Sequence, residues 1–478
     1  MVPKLLVSPA PRVFMDNDSS HRQSPQSKRT GFWSSLGPAI ITASVVLGPG
    51  SILSASKIGQ QYGYSMSWVL LLAVGLMLGM TALSARLGVL FDRTLCDEMA
   101  HRAGRWSALL TGITIFLVAA CFQFSNNVGV LAALEPFFPA DSWVKPLVIV
   151  NLNLFVILAL FGSDRLYKPI ELLMKVLIGL MIIGFAANLV MAKPDVSAIV
   201  NGLKPSIPEG AKDTILPKWE NGKLQDYLLP VVALFGTTFS IAGAFYQSYL
   251  VREKGWTRED LKPGLIDSTV GICTLGLITL MVMATAAAVL HSRADVELRS
   301  AADVAQALEP LFGPWAMGLF CLGIFAGAVS SFLVNAMIGG CMLSDGFGWG
   351  GSIDLKAPKI CTVLVLAIGM NVSLYLQFTG QDRPVNLIIF AQAMTVLGLP
   401  ILAGVLLWLS FRSDLGERGG VPWWMKFVAM VGFVAALFVA SRTATGLYLK
   451  LSHANDAALN ASAPEDPAET DSEVPDEK

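Results

Sequence analysis

The segment Leu47-Gly48-Pro49-Gly50-Ser51 interrupts the first long apolar stretch of the chain, and it constrains the fold more than any other feature. Proline lacks the amide donor and clashes with the preceding helical turn, and flanking glycines lower the cost of leaving helical geometry. A Gly-Pro-Gly run therefore cannot continue a helix. In a bilayer the freed backbone groups have no water to bind. Such a break survives only where protein buries it or where it lines a polar cavity. Broken membrane helices of this kind are where secondary transporters hold their cargo.

That the surroundings are a bilayer follows from composition. Of the 478 residues, 54% are hydrophobic and 14% charged, with a mean hydropathy of +0.60. Soluble domains carry about 25% charged residues. The chain reads as an all-α polytopic membrane protein, with the lipid bilayer as its first partner. A net charge of −1 argues against nucleic acid as another. The six cysteines (Cys96, Cys121, Cys273, Cys321, Cys341 and Cys361) are scattered through apolar stretches without a C-x-x-C pair. They read as small buried hydrophobes rather than a disulfide framework or a zinc site. The four histidines (His21, His101, His291 and His453) are assigned to tails or loops, away from any intramembrane ligand position.

Residues 1–33 are polar and have no apolar h-region, so no cleavable signal peptide is expected and the first span acts as the membrane signal. The stretch 453–478 holds eight acidic residues with Pro, Ala and Ser, a composition expected to be disordered. The domain reading is an N-terminal tail over 1–33, a membrane domain over 34–450 and an acidic tail over 451–478. Eleven stretches within the membrane domain are long enough to cross about 30 Å of hydrocarbon. They cover 34–58, 64–91, 107–134, 144–161, 167–192, 226–251, 264–290, 314–343, 358–378, 384–410 and 423–447. Basic residues cluster at Arg93/Arg102/Arg105, Arg165/Lys168, Arg252/Lys254/Arg258/Lys262 and Arg412/Arg418/Lys426. The positive-inside rule then places the N-terminus in the cytoplasm and the C-terminus outside. The expected location is a bacterial inner membrane.

A second break lies in the sixth span, at Leu234-Phe235-Gly236-Thr237-Thr238-Phe239-Ser240-Ile241-Ala242-Gly243. Spans one to five and six to ten then match as two halves, each opening with a glycine-interrupted helix. This is the pattern of inverted repeats with a binding site between the breaks. A five-plus-five repeat with broken first and sixth helices is the LeuT-type fold. Simple kinking at Gly and Pro is the bland alternative, and it weakens when both breaks fall at corresponding positions.

Five segments carry a resemblance to a known family. They are Gly37-Pro38-Ala39, Gly59-Gln60-Gln61-Tyr62-Gly63-Tyr64-Ser65, Leu83-Ser84-Ala85-Arg86-Leu87-Gly88, Met342-Leu343-Ser344-Asp345-Gly346-Phe347, and Asn386-Leu387 through Gln392 to Leu399-Pro400. In this order they resemble the Nramp family (natural resistance-associated macrophage proteins), which imports divalent transition metals with protons. The resemblance implies a metal site between the first and sixth spans. It also exposes substitutions at the chemistry-bearing positions. The family's Asp-Pro-Gly-Asn is here Gly48-Pro49-Gly50-Ser51. The family's Met-Pro-His is here Ser240-Ile241-Ala242, with Thr237 at the carbonyl position before it and Gln247 at the second histidine. The proton-path acids of the third span are here Gln123 and Asn126, beside Asn127. Gln392 in the tenth span is kept.

Gly48, Pro49, Gly50, Ser51, Thr237, Ser240 and Gln392 are thus the candidate substrate site. Ser51, Thr237, Ser240 and Gln392 are its candidate metal ligands, and Gln123, Asn126, Asn127 and Gln247 form a polar pathway. Hard ions favour carboxylates, and soft transition metals favour sulfur or imidazole. A site of hydroxyls, one amide and backbone carbonyls suits a Mg²⁺-like ion that keeps several waters better than Mn²⁺ or Fe²⁺. Gln123 and Asn126 cannot titrate, so proton coupling by the usual intramembrane acids is not expected. The alternative reading of Gln123, Asn126 and Asn127 is hydrogen-bonded glue between helices.

The remaining intramembrane charges, Lys57, Arg86, Glu171, Lys175 and Asp345, lie near span ends, where snorkelling or pairing accounts for them. Glu171 and Lys175 have i,i+4 spacing. Lys57 near the entry, with free N–H groups at Gly50 and Ser51 on a positive helix end, admits an anionic or zwitterionic cargo. Three functions stay open: a divalent-cation transporter, a transporter of a small organic or anionic solute, and a membrane sensor that no longer transports. No cofactor and no enzymatic activity are expected, and a monomer is the default assembly.

Overall fold

The computed structural model describes residues 48–138, 143–161, 167–207, 215–220, 223–291, 298, 314–379, 384–416 and 419–462. The Gly37-Pro38-Ala39 motif and the part of the first span before Gly48 lie outside them, as do the side chains of Glu171 and Lys175. The first span is represented by α1 (Pro49–Tyr62) and the second by α2 (Ser67–Leu90). A short α3 (Leu95–Ala103) leads into α4 (Arg105–Leu134), α5 (Val144–Phe161) and α6 (Tyr167–Ala192). Next come α7 (Val196–Gly202) and an antiparallel hairpin, β1 (Lys218–Glu220) with β2 (Lys223–Gln225). The sixth span is split into α8 (Leu229–Thr238) and α9 (Ile241–Glu253). α10 (Leu261–Leu290), α11 (Pro314–Phe347) and α12 (Lys356–Phe378) follow. The tenth span is α13 (Pro384–Thr395) and α14 (Leu399–Ser410), and the last is α15 (Trp423–Ser462). Among the described residues nine helical spans are long and apolar enough to cross a membrane, or ten with the bent pair α6–α7.

Local chemistry explains the punctuation. Thr94 caps α3 by accepting the Asp97 amide at 3.1 Å, with acids in its first turn and His101 and Arg102 in its last. That charge order complements the helix dipole. α7 is capped by Asp195, which accepts the amides of Ser197 and Ala198 at 2.8 and 3.2 Å. Gly63, with φ at +57°, ends α1 in a conformation that favours glycine.

Burial separates a centre from a rim. In the sixth span 94% of the most apolar stretch is buried inside the protein, against 33% for α5 and α12 and 22% for α15. Central spans need protein partners because their backbones are interrupted, whereas rim helices can face lipid with every internal bond made. Leu117, Leu158, Phe161, Ile183 and Phe438 face outward from rim surfaces. Trp106, Trp143, Trp315 and Trp423 are each about four-fifths exposed and stand at or beside the first residue of a spanning helix. This is the position of interfacial aromatic belts.

Four sequence expectations are corrected. The tenth span is not continuous: a 3₁₀ turn at Val396–Gly398 separates its halves, because Pro400 at the second position of α14 lacks the amide that a continuing helix would require. α15 runs through Ser462, past the boundary set at 450, so residues 451–462 are helical; residues 463–478 lie outside the description. His101 and His453 sit on α3 and α15 rather than in loops or a tail. The stretch 193–225, which reads from the sequence as one long loop, contains a helix and a hairpin.

Candidate functional site

Gly48 is extended (φ −105°, ψ 176°) and Pro49 begins α1, with the ring where an amide would have no helical partner. The Gly48 carbonyl folds back over the first turn and accepts the amides of Ser51 at 3.1 Å and Ile52 at 3.4 Å. The Ser51 N–H is therefore engaged, contrary to the expectation that both Gly50 and Ser51 would offer free donors. Only the Gly50 N–H keeps no backbone acceptor among the described residues.

This turn is clasped closely on three sides. A methyl group at Gly50 would lie 2.6 Å from Cδ and 2.7 Å from Nε2 of Gln392 on α13. The Pro49 ring occupies the space that a side chain at Gly129 of α4 would need. Gly48 faces Asn126 Oδ1 of α4 and the Ser331 hydroxyl of α11, which would stand 3.2 and 3.6 Å from an added Cβ. Glycine at 48 and 50 thus lets three other helices reach the backbone of the first break.

The second break is built differently. α8 ends at Thr238, Phe239 donates to the Phe235 carbonyl at 2.7 Å, and Ser240 turns the chain (φ −76°, ψ 82°) into α9. Among the described residues the carbonyls of Gly236, Thr237 and Thr238 accept no backbone amide, and the amides of Ala242 and Gly243 reach no backbone carbonyl. The Thr237 hydroxyl donates to the Leu234 carbonyl at 3.0 Å, leaving its lone pairs as acceptors. α8 packs on both α1 and α13. At Gly236 it approaches Gln392 O, Thr395 Oγ1 and Val396, 3.3, 3.2 and 2.6 Å from where a Cβ would be.

Every residue of the candidate site is buried, with Ser51, Thr237, Ser240 and Gln392 all at 1–2% exposure. Several of their polar atoms find no hydrogen-bond partner: Gln392 Oε1 and Nε2, Ser240 Oγ, and the neighbouring Thr238 Oγ1 and Asn126 Oδ1. An unmet buried polar atom costs about 1–3 kcal/mol, and native proteins hold few of them. Five of the fourteen such atoms among the described residues belong to the residues around the two helix breaks, where they remain available to a bound cargo.

The polar-pathway residues divide into three. Gln123 donates to the Phe332 carbonyl of α11 and accepts from Asn126 at 3.3 Å, and that pair borders Gly48. Asn127 turns away. It donates to the Gln123 carbonyl at 2.8 Å and accepts from Asn153 of α5 at 2.7 Å. Gln247 lies on α9 and donates to the Ser268 hydroxyl of α10 at 3.5 Å. Sequence reasoning missed Ser331, Thr395, Asn153 and the buried Asn335 of α11, whose Nδ2 also lacks a partner. The signal available was polar residues at i,i+4 spacing, Ser331 and Asn335, inside an otherwise apolar span.

Three of the charges near span ends are hydrogen-bonded to neutral groups of the protein. Lys57 Nζ donates to Asn386 Oδ1 of α13 at 2.8 Å. Arg86 donates to the carbonyls of Gly420 and Gly419 at 2.7 and 2.9 Å. The buried Asp345 accepts from the Tyr249 hydroxyl at 2.6 Å. A further intramembrane charge, Arg442 of α15, is 2% exposed and pairs with Asp226. Among the described residues no three of His, Cys, Asp and Glu come together in a group able to hold a metal.

Comparison with known proteins agrees with this architecture. The family model for natural resistance-associated macrophage protein-like proteins matches residues 39–445. The divalent metal cation transporter MntH of Deinococcus radiodurans is 25% identical over 420 residues, covering 85% of this chain and 87% of that one. The manganese transporter of Eremococcus coleocola superposes with a TM-score of 0.70 at 18% identity, over 91% of this chain and 90% of that one. A Na⁺-coupled sialic acid symporter superposes with a TM-score of 0.54 at 15% identity, over 87% and 89%. The fold is of the LeuT type, and the structure is that of a multi-pass membrane protein. With 39–445 matched, the chain belongs to the Nramp family.

Proposed function

We propose that this protein is a secondary transporter that moves divalent metal cations through the space between the two helix breaks. It takes them as Mg²⁺-like ions that keep part of their water, and it is not driven by protons through the family's usual route. The observation that carries the reading is the donor set. The carbonyls and the Thr237 hydroxyl at the C-terminal end of α8 are neutral oxygens at the negative end of a half-helix, and the Gln392 amide and the hydroxyls of Ser51 and Ser240 add further neutral oxygens. Such ends and unwound carbonyls serve cations in discontinuous membrane helices. Neutral oxygens suit a hydrated hard ion better than one that must be stripped. Relatives named as divalent metal cation transporters support the cargo class. The neutral pair Gln123 and Asn126 supports the absence of proton transfer. The basic clusters support an N-terminus in the cytoplasm, and the membrane would be a bacterial inner membrane.

One observation favours a second cargo class. Among the described residues Gln392 Nε2 has no hydrogen-bond partner and the amides of Gly50, Ala242 and Gly243 have no backbone acceptor, and a bare cation uses none of these donors. A small organic or anionic solute would use both halves of the Gln392 amide.

Uptake into proteoliposomes with Mg²⁺ and Mn²⁺ reporters and an internal pH dye tests both readings. Mg²⁺ entry without acidification is the expected result. Entry of neither metal, with an Nramp control active in the same vesicles, overturns metal transport and leaves the organic solute.

A further inference from the structure

We infer that the groove between the C-terminal end of α2 and the first turns of α10 is a binding site for an anionic phospholipid. It encloses about 390 Å³, and Arg86, Arg258 and Lys262 line it. Among the described residues that line it there is no carboxylate. The groove lies on the face that the basic clusters assign to the cytoplasm, remote from the helix breaks, so it is independent of the cargo.

The cations are held in place. Arg86, near the end of a spanning helix, is fixed by the carbonyls of Gly419 and Gly420. Arg258 reaches the same loop: a side chain at Gly419 would lie 2.7 Å from its Nη1. Two guanidinium groups thus border one glycine. Like charges at this range repel, and a phosphate between them would turn that repulsion into attraction. Lys262, the second residue of α10, adds a third positive charge.

Below the cations the wall becomes apolar. Lys262, Leu265, Ile266 and Thr269 have i, i+3, i+4 and i+7 spacing, so they form one stripe along α10. Leu90 and Leu261 close the inner side and are buried, while Ile266 is 57% exposed on a helix that crosses the bilayer. The order from helix end to bilayer interior is cation, aliphatic, aliphatic, the order of headgroup and acyl chain in a phospholipid. Trp256 lies over Gly264 on the same helix, with the Lys254 ammonium 5.9 Å from its ring, and marks the headgroup level. Basic pockets between spanning helices at the membrane border bind anionic headgroups. A free phosphate would meet the cations and leave the apolar stripe unused.

The test is native mass spectrometry of the full chain after delipidation and re-addition of phosphatidylglycerol or phosphatidylcholine. Phosphatidylglycerol should be retained in preference, and Arg258→Gln with Lys262→Gln should reduce retention by roughly tenfold or more. Both side chains are exposed, so folding is not at risk. Each single substitution should give a smaller loss, and Arg258→Lys should restore most of it. Lys204→Gln, at an exposed cation far from the groove, should change nothing. Equal loss from Lys204→Gln, or equal retention of the two lipids, overturns the site. In a parallel thermal-shift series, stabilisation by inorganic phosphate equal to that by short-chain phosphatidylglycerol overturns the lipid assignment in favour of a soluble anion.

Discussion

The first and sixth spans are both interrupted, yet the two breaks use their backbone in opposite ways. At the first, the Gly48 carbonyl is taken by Ser51 and Ile52, and the turn closes on itself. At the sixth, among the described residues, three carbonyls of α8 and two amides of α9 stay without backbone partners. The first break is a place of close approach, where glycine lets Gln392, Asn126 and Ser331 come near. The sixth is a place of exposed polarity. A break in a membrane helix can therefore supply room or supply charge, and this pair divides the two tasks. Neither Gly48 nor Ser51 carries a charge, so the negative potential at this pair of breaks comes from the C-terminal end of α8.

The largest effect should come from giving the first break the charge it lacks. Gly48→Asp with Ser51→Asn and Ser240→Met should create Mn²⁺ binding, with a gain of about 100-fold in affinity by calorimetry, since a carboxylate and a thioether suit that ion. Gly48 has a φ that any residue can adopt, and only Asn126 must give way. No gain would break the correspondence drawn between the two spans. Next in size is Gln392→Ala, which touches the room-giving side. It should lower uptake about tenfold, equivalent to ~1.4 kcal/mol. Folding should be little affected, because among the described residues neither amide atom has a partner to lose. Unchanged uptake would remove Gln392 from the site.

Gln123→Leu separates pathway from glue. Loss of its bonds to Phe332 and Asn126 should cost about 1–3 kcal/mol in chemical unfolding while uptake stays within twofold. A large fall in uptake with normal stability would make Gln123 part of the conduit. The smallest effect lies outside the membrane. Hydrogen bonding and charge from Arg102 hold the Asp414 carboxyl below its ordinary pKa. A lowered folded-state pKa gives stability that is present above the unfolded value and lost as pH falls through the folded one. Asp414 is half exposed, so Asp414→Asn should cost only about 0.2–1 kcal/mol at neutral pH, fading in acid. Its thermal midpoint against the parent, followed across pH, checks the sign.

The sequence made legible those features that break a local rule. Gly48-Pro49-Gly50 violates helix chemistry in an apolar span, and the Gly- and Thr-rich stretch at 236–243 does the same, so both breaks could be placed before any coordinates. Val396-Leu397-Gly398 could not, because its residues are as apolar as their neighbours and only Pro400 hinted at a new start. Side-chain direction was equally hidden. Asn126 and Asn127 are adjacent, yet one borders Gly48 and the other bonds to Asn153. Gln247 shares a helix with the break and points to α10. Spacing gives the helix face, but which neighbour stands on that face is settled only by packing.

The ion pair between Arg442 and Asp226 is one link in a longer path. Asp226 stands just before α8, and Arg442 also holds the Ile215 carbonyl at 2.7 Å. Further along α15, His453 stacks on Trp219 of the hairpin with ring centres 4.2 Å apart. The hairpin is thus riveted at two points to the outermost helix and leads directly into the half-helix that carries the free carbonyls. A contact path of one ion pair and one ring stack runs from the least buried span to the residues that open the most buried one.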